Sequence, residues 1–176
     1  MNTYSIRCVK ENLEIPISLD IVKTHLKITN SNEDELLIAI IRASVKIFEG
    51  YTARSLLNKE WCAIFKNLNK FNITLPTRTV NKIIEITLID ENNNTTVFNE
   101  KHYFLEENSS ELNLRIIPYA KILKINYLAG YGDSHQDVPH EIVTSILQHI
   151  AFQYENRESG EVFNLKNYDQ FRKMRI

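Results

Sequence analysis

The spacing of apolar positions along the chain changes period twice, from helical to alternating and back. After the acidic stretch Glu33, Asp34 and Glu35, the residues Leu37, Ile40, Ile41, Ser44, Ile47, Phe48 and Tyr51 recur at spacings of three and four. Such a recurrence predicts an amphipathic helix whose acidic start suits the positive end of its dipole. Leu36, Ile38 and Val45 lie off that stripe, so more than one face of the helix is expected to be covered. Ahead of it, "PISLDIVKTHLKI" places Ser18 before Leu19, Val22 and Leu26, a short capped helix with one apolar stripe, and "TNSNED" breaks it.

From Trp61 the pattern becomes that of strands. "WCAIF", "FNITL", "KIIEITLID", "TTVFN", "HYFLE", "ELNLRII" and "KILKINYL" are short, rich in Ile, Thr and aromatics, and separated by Asn, Pro and Glu-Asn clusters. "DENNNTT" reads as a hairpin turn. Ile84, Ile86 and Leu88 alternate with Glu85, Thr87 and Ile89, and Leu112, Leu114 and Ile116 alternate with Asn113, Arg115 and Ile117, so at least one sheet face packs inward. A third helix is predicted after Pro139, with Pro139 in its first turn, Asp137 as a candidate cap, and Ile142, Ile146, Leu147, Ile150 and Tyr154 inward. "ENRESG" ends it.

These elements predict an α+β fold: a small helical bundle of about three helices plus a C-terminal tail, interrupted by an antiparallel β-rich insert. The expected divisions are an N-terminal helical part over 1–59, the β-rich insert over 60–129, a helix completing the bundle over 130–160, and a tail over 161–176. The tail carries Phe163, Leu165, Tyr168, Phe171, Met174 and Ile176 among basic residues, too apolar for a solvated end and too short for its own core. It is expected to be covered by something. There is no internal repeat and no low-complexity linker.

Composition narrows function mainly by exclusion. The formal net charge is -1, with 21 basic and 22 acidic side chains, so bulk charge draws the chain neither to nucleic acid nor to a membrane. Cys8 and Cys62 stand apart with no CxxC pattern, which predicts small apolar roles in a reducing compartment. No run approaches the roughly eighteen apolar residues of a membrane span, and the start has no signal-peptide pattern, so a soluble, unexported protein is expected. The Asn-x-Ser/Thr matches at Asn72, Asn93, Asn94 and Asn108 are ascribed to the abundance of Asn.

The strongest candidate for ligand chemistry is "NYLAGYGDSHQDVPHEI". Two glycines, Gly130 and Gly132, precede a helix, but the third glycine of a dinucleotide fingerprint and the lysine of a P-loop are missing. The path from Gly132 to Pro139 also delays the helix, so its amides would not face a phosphate beside the glycines. Gly130, Gly132 and Pro139 are therefore read as a structural turn. In "HEIVTSILQH", His140 and His149 are nine residues apart, which places them on opposite sides of a helix and rules out a shared metal. His135 lies near both in sequence, and His25 and His102 have no partner at useful spacing. The carboxylates Glu106, Glu107, Asp133 and Asp137 form no pair that the sequence places in a cleft, and there is no nucleophile elbow, so nothing points to catalysis. No catalytic residue, metal or cofactor is predicted.

Three segments together resemble a known family. "ISLDIVKTHLKI", the acidic "NEDELLIAIIRASVKIFEGYTARSLL", and "INYLAGYGDSHQDVPHEIVTSILQHIAFQYENRE", with the closing "YDQFRKMRI", are similar to head-tail connector (adaptor, or head-completion) proteins of long-tailed bacteriophages and gene transfer agents. The positions that carry the likeness are Leu19, Lys23, Leu26 and Ile28; Ile41, Ala43, Glu49, Tyr51 and Leu56; and Tyr127, Gly130, Tyr131, Gly132, Val138, Pro139, Tyr154, Asn156 and Arg157. The β block resembles the family only in position and strand content. Thr52 and Ala53 stand where the family often has Thr-Gly.

The resemblance implies a structural, non-enzymatic virion protein at the head-tail interface, present in the host cytoplasm before assembly. It implies a homo-oligomeric ring, a dodecamer in the virion, between the portal protein and a tail-side connector or tail terminator protein. DNA would pass through without sequence-specific binding, and no membrane is involved. Tyr168, Phe171, Arg172 and Arg175 are expected to dock the tail onto the portal, so truncation after about Ser159 should leave a folded protein that fails to join heads to tails. The alternative is a DNA-packaging accessory that binds nucleic acid through Lys166, Arg172, Lys173 and Arg175.

Overall fold

A computed structural model describes residues 4–66, 68–107 and 109–172. The chain divides into two compact units, one formed by residues up to 12 and 58–130, the other by 13–57 and 131–176. Mixed α+β architecture with antiparallel sheets is thus the observed class.

The helical unit contains α1 (Leu19–Leu26), α2 (Asp34–Thr52) and α3 (His140–Glu155), followed by a 3-10 helix at Leu165–Phe171. Ser18 occupies the N-cap of α1, where its carbonyl accepts from Val22 N–H at 3.2 Å. Lys27 ends α1 in the left-handed region at φ 58°, and the Ile28 N–H closes back to the Lys23 carbonyl at 2.9 Å. The Lys23 ammonium then reaches Asp34 at 2.7 Å, tying α1 to the first turn of α2. Along α2 the buried side chains are Leu37, Ile40, Ile41, Ser44, Val45, Phe48 and Thr52. The buried stripe is rotated from the expected one: Val45 is inside, whereas Ile47 is exposed. These residues meet Ile142, Ile146, Leu147 and Ile150 of α3 in one apolar core with Val22, Leu56 and Leu57. Each fully buried aliphatic side chain of this kind contributes roughly 1.5–3 kcal/mol.

The β unit has a five-stranded and a three-stranded sheet, all pairings antiparallel. Its strands are β1 (Tyr4–Lys10), β2 (Lys59–Lys66), β3 (Asn72–Thr74), β4 (Val80–Ile89), β5 (Thr95–Val97), β6 (Tyr103–Leu105), β7 (Glu111–Leu114) and β8 (Ile122–Ala129). The orders are β1-β2-β8-β4-β5 and β3-β7-β6. The sheets share a core that includes Phe65, Ile73, Leu75, Ile86, Leu112, Leu123, Ile125 and Tyr127. The Tyr127 hydroxyl, fully buried, donates to Thr77 at 3.1 Å.

Two expectations change here. Residues 4–10, grouped above with the helices, form a strand on β2, with Ile6 opposite Ala63 and Cys8 opposite Trp61. The helical unit accordingly starts at Leu13 rather than at the first residue. The alternation through β4 also breaks. A register shift between Ile83 and Glu85 inserts an extra residue against β8, so Ile84 is exposed while Ile86 and Thr87 are both buried. Likewise β7 ends at Leu114, which leaves Ile116 exposed beyond the ladder. Asp90 shapes the β4–β5 turn as expected, accepting from the Asn92 and Asn94 amides at 2.8 Å each.

Candidate functional site

The C-terminal segment is the expected docking element, and the structure covers most of it with the chain itself. Asn164 caps the 3-10 helix by accepting from Lys166 N–H at 3.1 Å, and this turn points Tyr168 and Phe171 to the same side. The Phe48 ring of α2 meets Tyr168 edge-on at 4.8 Å and Phe171 at 5.5 Å. Tyr168 is fully buried and Phe171 is only 8% exposed. Phe163 joins them by stacking on His149 of α3 at 4.2 Å. Neither Tyr168 nor Phe171 is available to a partner while the unit is folded, which corrects their assignment as docking side chains. The physical reason is the large apolar area of two aromatic rings beside an open face of α2 and α3.

A polar chain, buried at Tyr168, His149 and Ser44 and half-buried at Gln153, runs along this core. The His149 Nδ1 shares a hydrogen bond of 2.8 Å with the Tyr168 hydroxyl, and Nε2 shares one of 2.9 Å with Gln153. Ser44 of α2 donates to the Gln153 side-chain amide oxygen, Oε1, at 3.5 Å. Burial lowers His149 from its ordinary 6.5 to about 4, so the imidazole is neutral at pH 7, and the same burial raises the Tyr168 hydroxyl. A neutral imidazole has one donor and one acceptor nitrogen, which is what this chain of partners requires.

Arg54, just past α2, fastens the segment from outside. Its Nε donates to the Phe171 carbonyl at 2.9 Å and its guanidinium donates to the Tyr131 hydroxyl at 2.8 Å. Tyr51 donates to Asp169 at 2.6 Å, and the exposed Arg172 lies over the Tyr51 ring at 4.6 Å while pairing with Asp169 at 3.7 Å. Of the expected docking residues, Arg172 alone is both described and exposed; Arg175 lies outside the described residues. Truncation after Ser159 would remove Phe163, Tyr168 and Phe171 from the core, which predicts a destabilised helical unit in place of the folded truncated protein expected from the sequence.

The turn at Gly130, Gly132 and Pro139 has tight geometry. Gly130 adopts φ 153°, and its N–H donates to Thr79 at 3.0 Å. A Cβ on Gly132 would overlap the Asp137 side chain. That carboxylate accepts from the Ser134 N–H at 3.0 Å, the leading cause of its lowered pKa, and from the Ser134 hydroxyl at 3.2 Å. Asp137 therefore closes a capping box on the preceding 3-10 turn rather than capping α3. Pro139 sits at the N-cap of α3, one position ahead of the expected first turn, where its carbonyl accepts from Ile142 at 3.0 Å and Val143 at 3.1 Å.

The sequence pattern singles out neither Arg54 nor the role of His149. Arg54 carries no periodic signal, and His149 stands out along the chain only through its spacing from His140. Among the described residues no cluster of three or more His, Cys, Asp or Glu is placed to hold a metal, and no helix is long and apolar enough to cross a membrane.

Comparison with known proteins follows the fold. The family model of phage gp6-like head-tail connector proteins matches residues 16–119. No curated protein matches the chain. Solved structures that share its fold include three from gene transfer agent particles. A chain in the neck of an empty gene transfer agent particle, computed with C6 symmetry, is 19% identical with a TM-score of 0.80, covering 98% of this chain and 97% of that one. A chain in the virion of a native gene transfer agent particle is 19% identical with a TM-score of 0.80, covering 97% and 96%. A chain in the neck of a native particle computed with C12 symmetry is 20% identical with a TM-score of 0.78, covering 98% and 97%.

Proposed function

Since the chain belongs to the phage gp6-like head-tail connector family, we propose that it acts as a ring-forming adaptor in the virion neck, with DNA passing through the ring. The observation that carries the reading is the family match over residues 16–119, more than half of the chain, and the shared fold extends over nearly all of it. The role of such a protein is structural: it joins head to tail at their interface. Six-fold and twelve-fold symmetry in the similar neck particles supports a ring, for which we propose twelve copies. The portal protein on one side and a tail-side connector or tail terminator protein on the other are the proposed partners.

Physical features of the chain agree with that role. Ile21, Leu36 and Ile47 are exposed on α1 and α2, and such apolar side chains suit burial between subunits. A formal net charge of -1 suits a conduit that lets DNA slide without gripping it. A structural role of this kind calls for no catalytic step.

The test is genetic and visual. Particles produced without this protein are expected to be filled heads lacking tails, and adding back the purified full chain should restore joining. Symmetry-averaged electron micrographs of restored necks should show a ring of this chain between portal and tail. Tailed particles formed at normal yield without the protein would refute the reading.

A further inference from the structure

The loop between β7 and β8, residues 115–121, puts three large apolar side chains into solvent. Ile116 is 46% exposed, Ile117 39% and Tyr119 95%. Exposed Arg115 and Lys121 stand at its two ends, and no acidic residue lies between them. The loop is held in place rather than loose. The Arg115 N–H donates to the His102 carbonyl at 2.7 Å, the Lys121 N–H donates to the Ile89 carbonyl at 2.9 Å, and Pro118 is buried. A fixed group of exposed apolar side chains with a basic residue on either side marks an interaction surface. The adjacent isoleucines suit a protein partner and offer nothing to a phosphate backbone.

The same β unit carries a concave surface of the opposite character. An open groove of about 760 Å³ is lined by the start of β4 and by β6 with its flanking residues. Half-buried Ile83, Tyr103 and Leu105 make its apolar part, while exposed Glu100, Glu106 and Glu107 stand against Lys82. The Tyr103 hydroxyl is raised above its ordinary value, first by burial and then by the Glu100 charge. The groove is thus apolar within and acidic around, with three carboxylates to one ammonium. The loop has two cations and no carboxylate. With its backbone tied at both ends and Tyr119 almost wholly in solvent, the loop does not fill the groove of its own chain.

Rotational symmetry supplies the link between the two surfaces. A ring closed by head-to-tail contacts joins two different patches of the same chain at every interface, so each copy must carry both halves of a complementary pair. The loop and the groove are such a pair in shape, apolar character and charge. We infer that residues 115–121 of one subunit seat in the groove between β4 and β6 of its neighbour, with Ile117 and Tyr119 against Ile83, Tyr103 and Leu105, and with Arg115 and Lys121 beside the three glutamates. The inference rests on the ring reading for the neighbour's presence. Other contacts of the ring would hold the loop at high local concentration beside the groove, so this contact need not be tight alone.

The test uses full-length chains. Equal amounts of ordinary and isotopically heavy protein are mixed, added back to tailless heads, and treated with a carbodiimide, which joins an ammonium to a carboxylate only where the two touch. Peptides linking Lys121 to Glu106 or Glu107 should appear, and they should include pairs of one light and one heavy chain. Absence of these links, links within single chains only, or Lys121 joined only to another virion protein would each overturn the inference. Arg115→Glu/Lys121→Glu and Glu106→Lys/Glu107→Lys should each reduce the chain retained on heads at least about tenfold, and an equal mixture of the two variants should recover it, because reversed loops then meet reversed grooves in an alternating ring. Recovery also shows that both variants are folded; a mixture as poor as either variant alone counts against the contact. Heads that gain no ring refute the connector reading and the contact with it, whereas rings that lack the links leave the connector role standing and refute the contact alone.

Discussion

Acid should loosen the helical unit through one residue, His149. Its imidazole is only 2% exposed and is lowered by burial from 6.5 to about 4. In the unfolded chain it recovers its ordinary value, so between these two pH values the unfolded state binds more protons and stability falls with falling pH. The contribution is fully present above pH 6.5 and is lost progressively as pH drops toward the folded value. The whole interval corresponds to about 3 kcal/mol, and about 2 kcal/mol of it is lost between about pH 7.5 and about pH 5. Carboxylates begin to contribute mainly below that window, which keeps the histidine signal separable.

The assay is urea denaturation followed by far-ultraviolet circular dichroism, which reports on the helices. Trp61, the one tryptophan, lies on β2 and its fluorescence reports on the β unit instead. The control is His149→Gln, which keeps hydrogen-bonding groups near Tyr168 and does not titrate. The variant should be less stable at neutral pH because it loses the stacking on Phe163, but its stability should change little from about pH 7.5 to about pH 5. Parallel loss of stability in the two proteins across that window would refute the reasoning, because the proton would then be taken up elsewhere.

Three further outcomes are expected. Gly132→Ala forces the new Cβ into the Asp137 side chain, its Cβ included, so thermal denaturation should show a loss of about 1–3 kcal/mol that Asp137→Ala does not restore; an unchanged melting temperature would contradict the overlap. Arg54→Ala removes the donors to the Phe171 carbonyl and the Tyr131 hydroxyl and should cost about 1–3 kcal/mol in urea denaturation, with Arg54→Lys recovering only part; equal stability of all three proteins counts against the clamp. Truncation after Ser159 deletes three core aromatics, each worth about 3–5 kcal/mol when cut back to Ala, so limited proteolysis should digest the helical unit rapidly; a protease-resistant unit would restore the free-tail picture.

Elements with local signals are legible in the amino-acid pattern itself. α2 declares itself by periodicity and an acidic start, and the β4–β5 hairpin by Asp90 and its Asn neighbours, because the groups that decide each lie within a few residues. β1 is not legible, for the opposite reason. "YSIRCVK" alternates only weakly, with Arg7 and Lys10 among its exposed positions, and it becomes a strand by pairing with residues fifty or more positions later. The bulge at Ile84 is equally hidden, because alternation is a property of one strand whereas register is a property of two.

The tail shows how a sound local reading can still assign the wrong partner. Its aromatics are too apolar for solvent, and they are covered; what covers them is Phe48, some 120 positions earlier, together with His149. Apolar periodicity states that a face must be buried and does not state by what. Arg54 carries the same point on the polar side, since its role follows from a carbonyl at residue 171 and a hydroxyl at residue 131, neither adjacent to it in sequence. The consequence for function is a redistribution of surface. Once Tyr168 and Phe171 belong to the core, Arg172 is the docking candidate that stays exposed among the described residues, held over Tyr51 and against Asp169 at the surface of the helical unit.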